Sequence, residues 1–429
     1  MSQLTIAVIG AGGRGNAYAG YFKKFPGEGK VVAVAEPRED YLARFADAYD
    51  VPAGMRFRDW TELAEKDRLA DAAFICTPDR VHTGPAVALA EKGYHLLLEK
   101  PMAPTLAECS AIADAVVGNG VTSAVCHVMR YTNHARKIKE MIALGLIGEV
   151  MNIQLMEQVG YWHQAHSFVR GNWRNEELSS AMLLQKCCHD LDWIYFFMDS
   201  PCTKVSSHGS LLHFRRESQP EGAADRCVEC PPQIERKCPY SAVRYYCEVM
   251  AGREGRWPSA TLTLDRTPEG IRKAVETGPY GRCAYACDND VVDHQVVAME
   301  FGSGATATLA MTAFTLKCCR LLRINGTHGE ILYDADTGII HNDFLTRSSN
   351  VVQDSPGDTT ADSGHGGGDY GIIRDFVAAL REGDPARIDT DVLTSLATHK
   401  MVFAAEKARR ENCAVEMAGE FDMRRWSIS

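Results

Sequence analysis

The segment LLQKCCHDLDW, residues 183–193, gathers several groups that can carry chemistry into one short stretch. Lys186, His189 and Asp190 can hold or exchange protons. Two adjacent cysteines separate the lysine from the histidine, and a thiolate can act as a nucleophile or a metal ligand. The stretch is therefore open to acid/base, thiol or metal chemistry.

No proline or glycine interrupts residues 179–199, which predicts a helix there. On a helix, Gln185, His189 and Asp192 share one face, which can line a cleft. These three residues make a poor metal set, and Lys186 points away from the neighbouring thiols. We therefore favour His189 as an acid/base group, with a structural histidine, a metal site and thiol chemistry as alternatives.

A glycine-rich turn near the start of the chain supplies the second constellation. Gly10, Gly12 and Gly15 form G-x-G-x-x-G, with Gly13 and Arg14 between them, after an apolar strand and before a helical stretch. Glycine allows the tight turn, the close approach of a pyrophosphate and the packing of helix on strand. The alternative is a glycine turn that binds no nucleotide.

The second strand, KVVAVAEP, ends in Glu36. A carboxylate there can accept hydrogen bonds from the adenosine ribose, which favours NAD. Arg38 could instead receive the 2′-phosphate of NADP. NAD is therefore the expected cofactor and NADP the alternative.

Apolar strands alternate with helical segments through the first third of the chain, which predicts a doubly wound parallel sheet. Ligands of such sheets bind at the carboxyl ends of the strands. There Lys100, followed by a proline, can donate to a substrate oxygen and act as a catalytic acid/base group. Its alternative is a solvated lysine that closes a strand. The other candidate cofactor contacts at these ends are Thr77, Pro78, His82 and Glu99.

An ordered set of motifs now resembles a known family. The set is VIGAGGRG (8–15), CTPDRVH (76–82), EKPMAPT (99–105), VMRYTNHARKIKEMIALGLIGEV (128–150) and the 183–193 segment. It is similar to the glucose–fructose oxidoreductase, inositol dehydrogenase and rhizopine-catabolism group, Gfo/Idh/MocA. The resemblance implies a nucleotide-binding domain, then an α/β domain whose open sheet carries the substrate and often mediates oligomers.

The same resemblance implies that Lys100 lies beside the nicotinamide and that His189 occupies the family's histidine position. One position departs from the pattern. The family usually has an aspartate four residues before that histidine, and this chain has Gln185. A proton relay through lysine, aspartate and histidine therefore cannot be transferred unchanged.

Short β-rich runs with glycine turns follow residue 150 and predict an antiparallel sheet. We therefore expect an α/β chain: a Rossmann domain over residues 1–128, then an α+β domain with an open, mainly antiparallel sheet over 129–429. A cysteine-rich insertion at about 215–290 interrupts the second domain.

The segment GYWHQAHSFVRGNWR, residues 160–174, is rich in aromatic and hydrogen-bonding side chains. Rings can stack on sugar faces, and the polar groups can bind hydroxyls. The alternative is a role in loop packing or an interface. The candidate substrate contacts are Tyr161, His163, His166, Arg170 and Trp173 in this segment, together with His127, Arg130, Lys186, Asp190 and His365.

The insertion carries Cys227, Cys230, Cys238 and Cys247 among polar residues and prolines. A segment with little core of its own could be ordered by a tetrahedral thiolate site. We therefore expect structural zinc, with His213 as the alternative fourth ligand. An iron–sulfur cluster and reduced thiols are the competing interpretations.

The 429 residues have the composition of a globular protein, 45% hydrophobic and 24% charged. The net charge of −10 and the lack of a basic run argue against a nucleic-acid or membrane partner. The chain leads directly into a strand, so we expect no signal peptide. Its 15 cysteines are an odd number, which favours a reducing, cytoplasmic setting.

Together these features predict an NAD-dependent oxidoreductase that acts on a secondary alcohol of a sugar, glycoside or cyclitol. We expect a homo-oligomer, a dimer or tetramer formed through the C-terminal sheet. One alternative, from the same family resemblance, is a glycosidase that oxidises the sugar transiently, eliminates the aglycone and reduces the sugar again. A non-catalytic regulator that senses NAD is the third interpretation.

Overall fold

The computed structural model describes residues 3–353 and 365–421. Helices and strands in these ranges build two sheets, one parallel and one mainly antiparallel. No helix among the described residues has the length and apolarity that a bilayer crossing requires.

The first sheet is formed by short apolar strands that are buried on both faces, as parallel strands between helical layers must be. Its six parallel strands run in the order β3-β2-β1-β4-β5-β6, so the strand order reverses beside β1. That reversal creates the crevice in which doubly wound folds bind ligands. The strands are β1 (Leu4–Ile9), β2 (Gly29–Ala35), β3 (Arg56–Phe57), β4 (Ala72–Ile75), β5 (His95–Leu98) and β6 (Ser123–Val125). The predicted Rossmann sheet is confirmed.

Helices connect these strands, and polar caps mark where several of them begin. Asp59 and Thr105 accept hydrogen bonds from backbone N–H groups of the first turn of their helices. The glycine turn instead leads straight into a helix whose first turn carries no acidic residue. The helices are α1 (Gly13–Lys24), α2 (Glu39–Ala48), α3 (Trp60–Ala64), α4 (Thr83–Glu91) and α5 (Leu106–Gly118).

The second sheet has the order β14-β13-β12-β11-β7-β10-β9-β8-β15. Every neighbouring pair is antiparallel except β7 with β10. In β9 buried and exposed residues alternate strictly, because one sheet face is covered and the other is not. The strands are β7 (Val150–Gln158), β8 (Cys202–Ser210), β9 (His294–Phe301), β10 (Thr306–Thr312), β11 (Cys319–Gly326), β12 (Gly329–Asp334), β13 (Gly338–Asp343), β14 (Ser348–Val352) and β15 (Val415–Glu416).

The remaining helices cover the inner face of the second sheet, return to the first sheet, or lie in the insertion between β8 and β9. Ile372 and Phe376 belong to the apolar core of the first sheet, and Leu396 packs on its other side. Residues far along the chain thus complete the first layer. The helices are α6 (Asn133–Ala143), α7 (Tyr161–His163), α8 (Met182–Gln185), α9 (Cys188–Met198), α10 (Pro232–Glu235), α11 (Pro268–Thr277), α12 (Gly368–Glu382) and α13 (Val392–Glu411).

The segment predicted as a single helix over 179–199 is divided. It forms α8 and α9, with a break at Lys186 and Cys187. The backbone N–H of Asp190 donates to the carbonyl of Cys187, so α9 begins a new series of backbone hydrogen bonds. The expected common face of Gln185, His189 and Asp192 is therefore not formed by one continuous helix.

The insertion between β8 and β9 contains its own small apolar core. Ile271 and Val275, one turn apart on α11, pack with Ala242 and Tyr246. The expectation that this segment lacks a core was wrong, because α11 is amphipathic and supplies an apolar face.

We expect Phe376→Ala to destabilise the first layer by about 3–5 kcal/mol, since it removes a fully buried ring and leaves a cavity. Urea unfolding followed by tryptophan fluorescence and circular dichroism would measure the loss. Phe344→Ala, at a half-exposed ring in the β13–β14 turn, is the control and should change stability little. An equal effect of both substitutions would contradict the assignment of α12 to the first core.

Candidate active site

The glycine turn after β1 is shaped for a ligand. Gly10 has a φ of +95°, and a Cβ there would lie 2.7 Å from the Cys76 carbonyl oxygen. At Gly15 a Cβ would meet the Gly10 carbonyl at 2.1 Å, so the helix packs directly on the turn. A Cβ at Gly12 would have only the tip of one arginine within 4 Å, and at Gly13 nothing. The predicted pyrophosphate cradle is therefore open where a dinucleotide needs room.

Glu36 fixes this turn from the end of β2. Its carboxylate accepts the Ala11 backbone N–H at 2.9 Å and the Arg38 Nε–H at 2.6 Å. Although desolvation opposes it, hydrogen bonding from Arg38 holds the pKa of the Glu36 carboxyl below its usual range. The Arg38 guanidinium lies 3.7 Å from the ring centroid of Tyr41 and is half exposed.

Arg14, predicted as a cofactor contact, turns toward the protein. Its Nε donates to Glu99 at 2.6 Å, and its Nη2 donates to Asp369 at 2.7 Å and also to Tyr18. These bonds join the glycine turn to the end of β5 and to α12. In this structure Arg14 therefore stabilises the glycine turn through contacts within the protein.

The turns after β4 and β5 are linked by His82. One ring nitrogen lies 2.8 Å from the Thr77 carbonyl oxygen and the other 2.9 Å from that of Pro101. The Thr77 hydroxyl is buried and has no hydrogen-bond partner among the described residues. Pro78, a predicted cofactor contact, immediately precedes the short 3-10 helix Asp79–Val81 that follows β4.

Lys100 follows β5 and precedes a cis proline. Its Nζ donates to the backbone carbonyl of Gln185 at 2.8 Å. Gln185 is the last residue of α8, where a carbonyl has no partner within the helix. The helix break thus supplies an acceptor that orients the ammonium group.

The Gln185 side chain points toward the first domain. Its amide nitrogen lies 2.5 Å from the Asp79 carboxylate and 2.6 Å and 2.7 Å from the Ser179 and Ser180 hydroxyls. A carboxylate in place of this amide would face the carboxylate of Asp79. The absence of the family's usual aspartate therefore has a physical reason in this chain.

His189 and His127 face each other between the two sheets. Their ring centroids lie 5.7 Å apart, and both residues are buried. None of their ring nitrogens has a hydrogen-bond partner in the part of the chain that the structure describes. Desolvation, followed by the charge of Lys100, holds the pKa of His189 well below its usual range, so the imidazole is neutral at pH 7.

Two further histidines border this pair. The His365 ring lies 6.0 Å from that of His189 and 3.3 Å from the Asp369 carboxylate. The sequence around His365 is rich in glycine, and residues 354–364, which precede it, lie outside the described residues. His399 lies 5.4 Å from His127 and accepts the Met102 backbone N–H at 2.9 Å; sequence reasoning missed it, since no motif marks it inside α13.

Lys186 and Asp190, both predicted substrate contacts, take part in a buried ion network. Lys186 pairs with Glu157 at 2.9 Å, and Asp190 pairs with Arg320 at 2.7 Å. Sequence reasoning missed Glu157 and Arg320. A signal existed for the first, because it is a lone charge at a buried position of the alternating strand β7.

The aromatic segment 160–174 is partly engaged in packing. His166 lies 2.6 Å from the Tyr246 hydroxyl and is buried, with its pKa lowered to about 3 by desolvation. His163 lies 3.3 Å from the thiol of Cys318, which is exposed. Tyr161 packs edge-on to Tyr240 at 6.2 Å, and the predicted contact Trp173 is 41% exposed. The structure thus leaves Tyr161 and Trp173 partly exposed, buries His163, and places His166 in the packing of the insertion.

Two predicted substrate contacts have their donors occupied within the protein. Arg130 forms a bidentate pair with Asp192, both bonds 2.7 Å long. Arg170 donates to the backbone carbonyls of Arg282 and Tyr240 at 2.7 Å and 2.6 Å. Both guanidinium groups are buried and act here as links between elements.

The predicted zinc site is not supported. Nowhere in residues 3–353 and 365–421 are three or more His, Cys, Asp or Glu side chains arranged to hold a metal ion. Cys227, Cys230 and Cys238 line one small cavity, but Cys247 packs against the apolar cluster of α11. The alternative ligand His213 lies 3.2 Å from the Tyr285 hydroxyl.

Two family models match this architecture. Residues 4–127 match the Gfo/Idh/MocA model described as an oxidoreductase family with an NAD-binding Rossmann fold. Residues 139–416 match its companion model, the C-terminal alpha/beta domain. The two matches cover most of the chain and agree with the two sheets.

Individual proteins are also similar. The chain is 27% identical over 210 residues to the uncharacterized oxidoreductase YrbE of Bacillus subtilis (strain 168). This match covers 49% of this chain and 58% of that protein. It is 25% identical over 211 residues to myo-inositol 2-dehydrogenase of Thermotoga maritima, a match that covers 49% of this chain and 59% of that protein. In both cases the chain spans little more than half of the relative's length. Levoglucosan dehydrogenase in complex with NADH and levoglucosan has a TM-score of 0.69 at 17% identity, covering 97% and 100%, so the fold is shared.

We expect Gln185→Glu to lower the midpoint of thermal unfolding by about 5 °C or more, because it places two carboxylates in contact in a buried site. Adding Asp79→Asn should restore most of the loss, since the new amide can donate to the glutamate. Calorimetry of the wild type, both single variants and the double variant measures the coupling. Equal losses in the single and double variants would contradict the contact.

We expect Glu36→Ser to raise the affinity for NADPH relative to NADH by at least about tenfold, because it frees Arg38 to bind a 2′-phosphate and removes a repelling charge. Glu36→Asp, which keeps the carboxylate, is the matched control and should retain the preference for NADH. Fluorescence titration with both nucleotides measures the ratio. An unchanged ratio in the serine variant would show that Glu36 does not select the cofactor.

Proposed function

This chain belongs to the Gfo/Idh/MocA family of oxidoreductases, and we propose that it is an NAD-dependent dehydrogenase of a secondary alcohol in a sugar, glycoside or cyclitol. The relative named myo-inositol 2-dehydrogenase supports the substrate class. The half-exposed aromatic rings at Trp173 and Trp257 offer apolar surfaces of the kind that sugar C–H faces stack on.

One observation carries the proposal. His189 and His127 are buried without hydrogen-bond partners in the described chain, and the ammonium of Lys100 lies close enough to depress the pKa of His189. Buried polar groups are nearly always hydrogen-bonded, so unpartnered imidazoles between two domains indicate the place of a ligand. This site lies between the second sheet and the carboxyl ends of β5 and β6.

The residues of this site have complementary tasks. Lys100 is held by the Gln185 carbonyl and can donate a second hydrogen bond to the substrate oxygen, which stabilises the developing negative charge. His189, neutral at pH 7, accepts the hydroxyl proton. Gly10 permits the tight turn, Gly12 and Gly13 leave the space in which NAD would be held, and bound NAD supplies the hydride acceptor.

We expect His189→Ala to lower kcat by about 10²–10⁴-fold, because the proton acceptor is lost, while the dissociation constant for NADH stays unchanged. Lys100→Met should lower kcat by a similar factor, since it removes the donor to the substrate oxygen. NADH absorbance with a panel of sugars, glycosides and cyclitols gives the rates, and fluorescence titration gives the affinity.

His208→Asn, on the exposed side of β8, is the matched control and should leave turnover at the wild-type level. Near-normal turnover of His189→Ala would end the assignment. Product analysis runs in parallel, because glycosidic cleavage without net NADH formation would identify the glycosidase alternative instead. Cofactor affinity without turnover of any compound would favour a regulator.

The expected homo-oligomer and the cytoplasmic setting stay predictions. Light scattering at several protein concentrations would determine the number of subunits. The uncovered face of the second sheet is where we expect copies to meet, because its strands expose apolar side chains such as Met151 and Val296.

A further inference from the structure

Four charged side chains form a compact group beside the candidate active site: Glu157, Lys186, Asp190 and Arg320, here called the charged quartet. Glu157 on β7 and Arg320 on β11 are directly opposite each other in adjacent strands. Their charged atoms lie 3.3 Å apart, and the Lys186–Glu157 and Arg320–Asp190 pairs measure 2.9 Å and 2.7 Å. Asp190 follows His189 in α9, and the charge of Arg320 acts on the His189 imidazole, so the quartet lies near the proposed proton acceptor.

The four side chains of the charged quartet differ in their exposure to solvent. The side chains of Glu157 and Asp190 are completely buried, whereas Lys186 and Arg320 are 16% and 11% exposed. The part of the quartet that a ligand can reach is therefore cationic. No hydrogen bond within the described residues uses the Arg320 Nη1, so this guanidinium retains donor capacity.

The surroundings add to this positive character. Lys186 and Lys100 both lower the pKa of His163, after desolvation, and Lys100 and Arg320 lower that of His189. Three cations thus act on the two histidines that border the cleft. Burial, and after it the negative charge of the neighbouring Glu157 carboxylate, raises the pKa of the Asp190 carboxyl.

Other acidic groups near the cleft are already paired. Glu99 and Asp369 both accept hydrogen bonds from Arg14, and Asp79 accepts from Gln185. Asp192 is bound bidentately by Arg130. None of these carboxylates is paired with Lys186 or Arg320 in the described structure, where the two cations pair only with the buried carboxylates of Glu157 and Asp190. An incoming anion would therefore approach the partly exposed side of the two cations, away from those carboxylates.

We infer that the substrate carries a carboxylate, as a uronic or aldonic acid does, and that Lys186 and Arg320 bind it while its hydroxyl meets His189 and Lys100. The inference rests on the proposed function and narrows it from sugars in general to acidic sugars. Arginine and lysine together provide the fork and the point charge that carboxylate binding uses. A cationic surface partly removed from water also holds an anion more strongly than one in bulk solvent.

Matched pairs of compounds test this directly: D-glucuronate against D-glucose, and D-galacturonate against D-galactose. Calorimetric titration of the NADH-loaded protein measures binding, and NADH absorbance measures turnover with NAD. We expect at least one acid to be preferred over its neutral partner by 30-fold or more, and the preference to fall as ionic strength rises. Binding that is equal for acids and neutral sugars, or stronger for the neutral sugars, would overturn the inference.

The double variant Lys186→Met with Glu157→Gln removes the cation without leaving a buried carboxylate unpaired. We expect it to reduce the acid-to-neutral preference at least tenfold. The matched control is Lys204→Met with Glu416→Gln, which removes the exposed ion pair between β8 and β15 and should keep the preference. A preference that survives in the Lys186 variant would also overturn the inference.

The two proposals fail in different ways. Turnover of neutral sugars without binding of acids would refute the acidic substrate and leave the dehydrogenase intact. Tight binding of acids without NADH formation would support the carboxylate site and refute the dehydrogenase. If the Lys186 variant fails to fold, as shown by its unfolding midpoint, the titrations and the salt dependence of the wild type still decide the inference.

Discussion

The hydrogen bond from the Lys100 ammonium to the Gln185 carbonyl is the contact on which the site depends, because it joins the two sheets at the reacting end of the cleft. The Gln185 carbonyl can accept this bond only because α8 ends there and α9 begins a new series of backbone hydrogen bonds. The same glutamine holds Asp79 through its side chain. One residue thus bonds to two strand-end segments of the first domain, at Lys100 and at Asp79. A continuous helix through this segment would use that carbonyl internally and lose the link.

Most of the first domain could be predicted from the sequence. The glycine turn, the buried strands and the lysine at a strand end are short-range patterns, and each is determined by a few neighbouring residues. The family resemblance predicted Lys100 beside the nicotinamide and His189 at the family's histidine position, and in the structure the charge of Lys100 acts on His189. Their catalytic roles stay predictions.

The parts that could not be predicted depend on pairing between distant segments. Glu157 and Arg320 meet only through the register of β7 with β11, which no local pattern determines. His399 reaches His127 because α13 returns from far along the chain. The insertion was misjudged for another reason. Its cysteines drew the interpretation toward a metal, while the one-turn spacing of Ile271 and Val275 already indicated an amphipathic helix with a core of its own.

The return of α12 and α13 to the first sheet has a consequence for how this protein comes into being. A ribosome releases the six strands of that sheet long before it makes the helices that cover their apolar side. The nascent sheet has the early helix α1 beside Phe74, but it lacks the contact of Phe74 with Phe376 until α12 has been made. Domains usually fold as they emerge. Here the core of the first sheet can be completed only after the strands of the second sheet up to β14 have been synthesised.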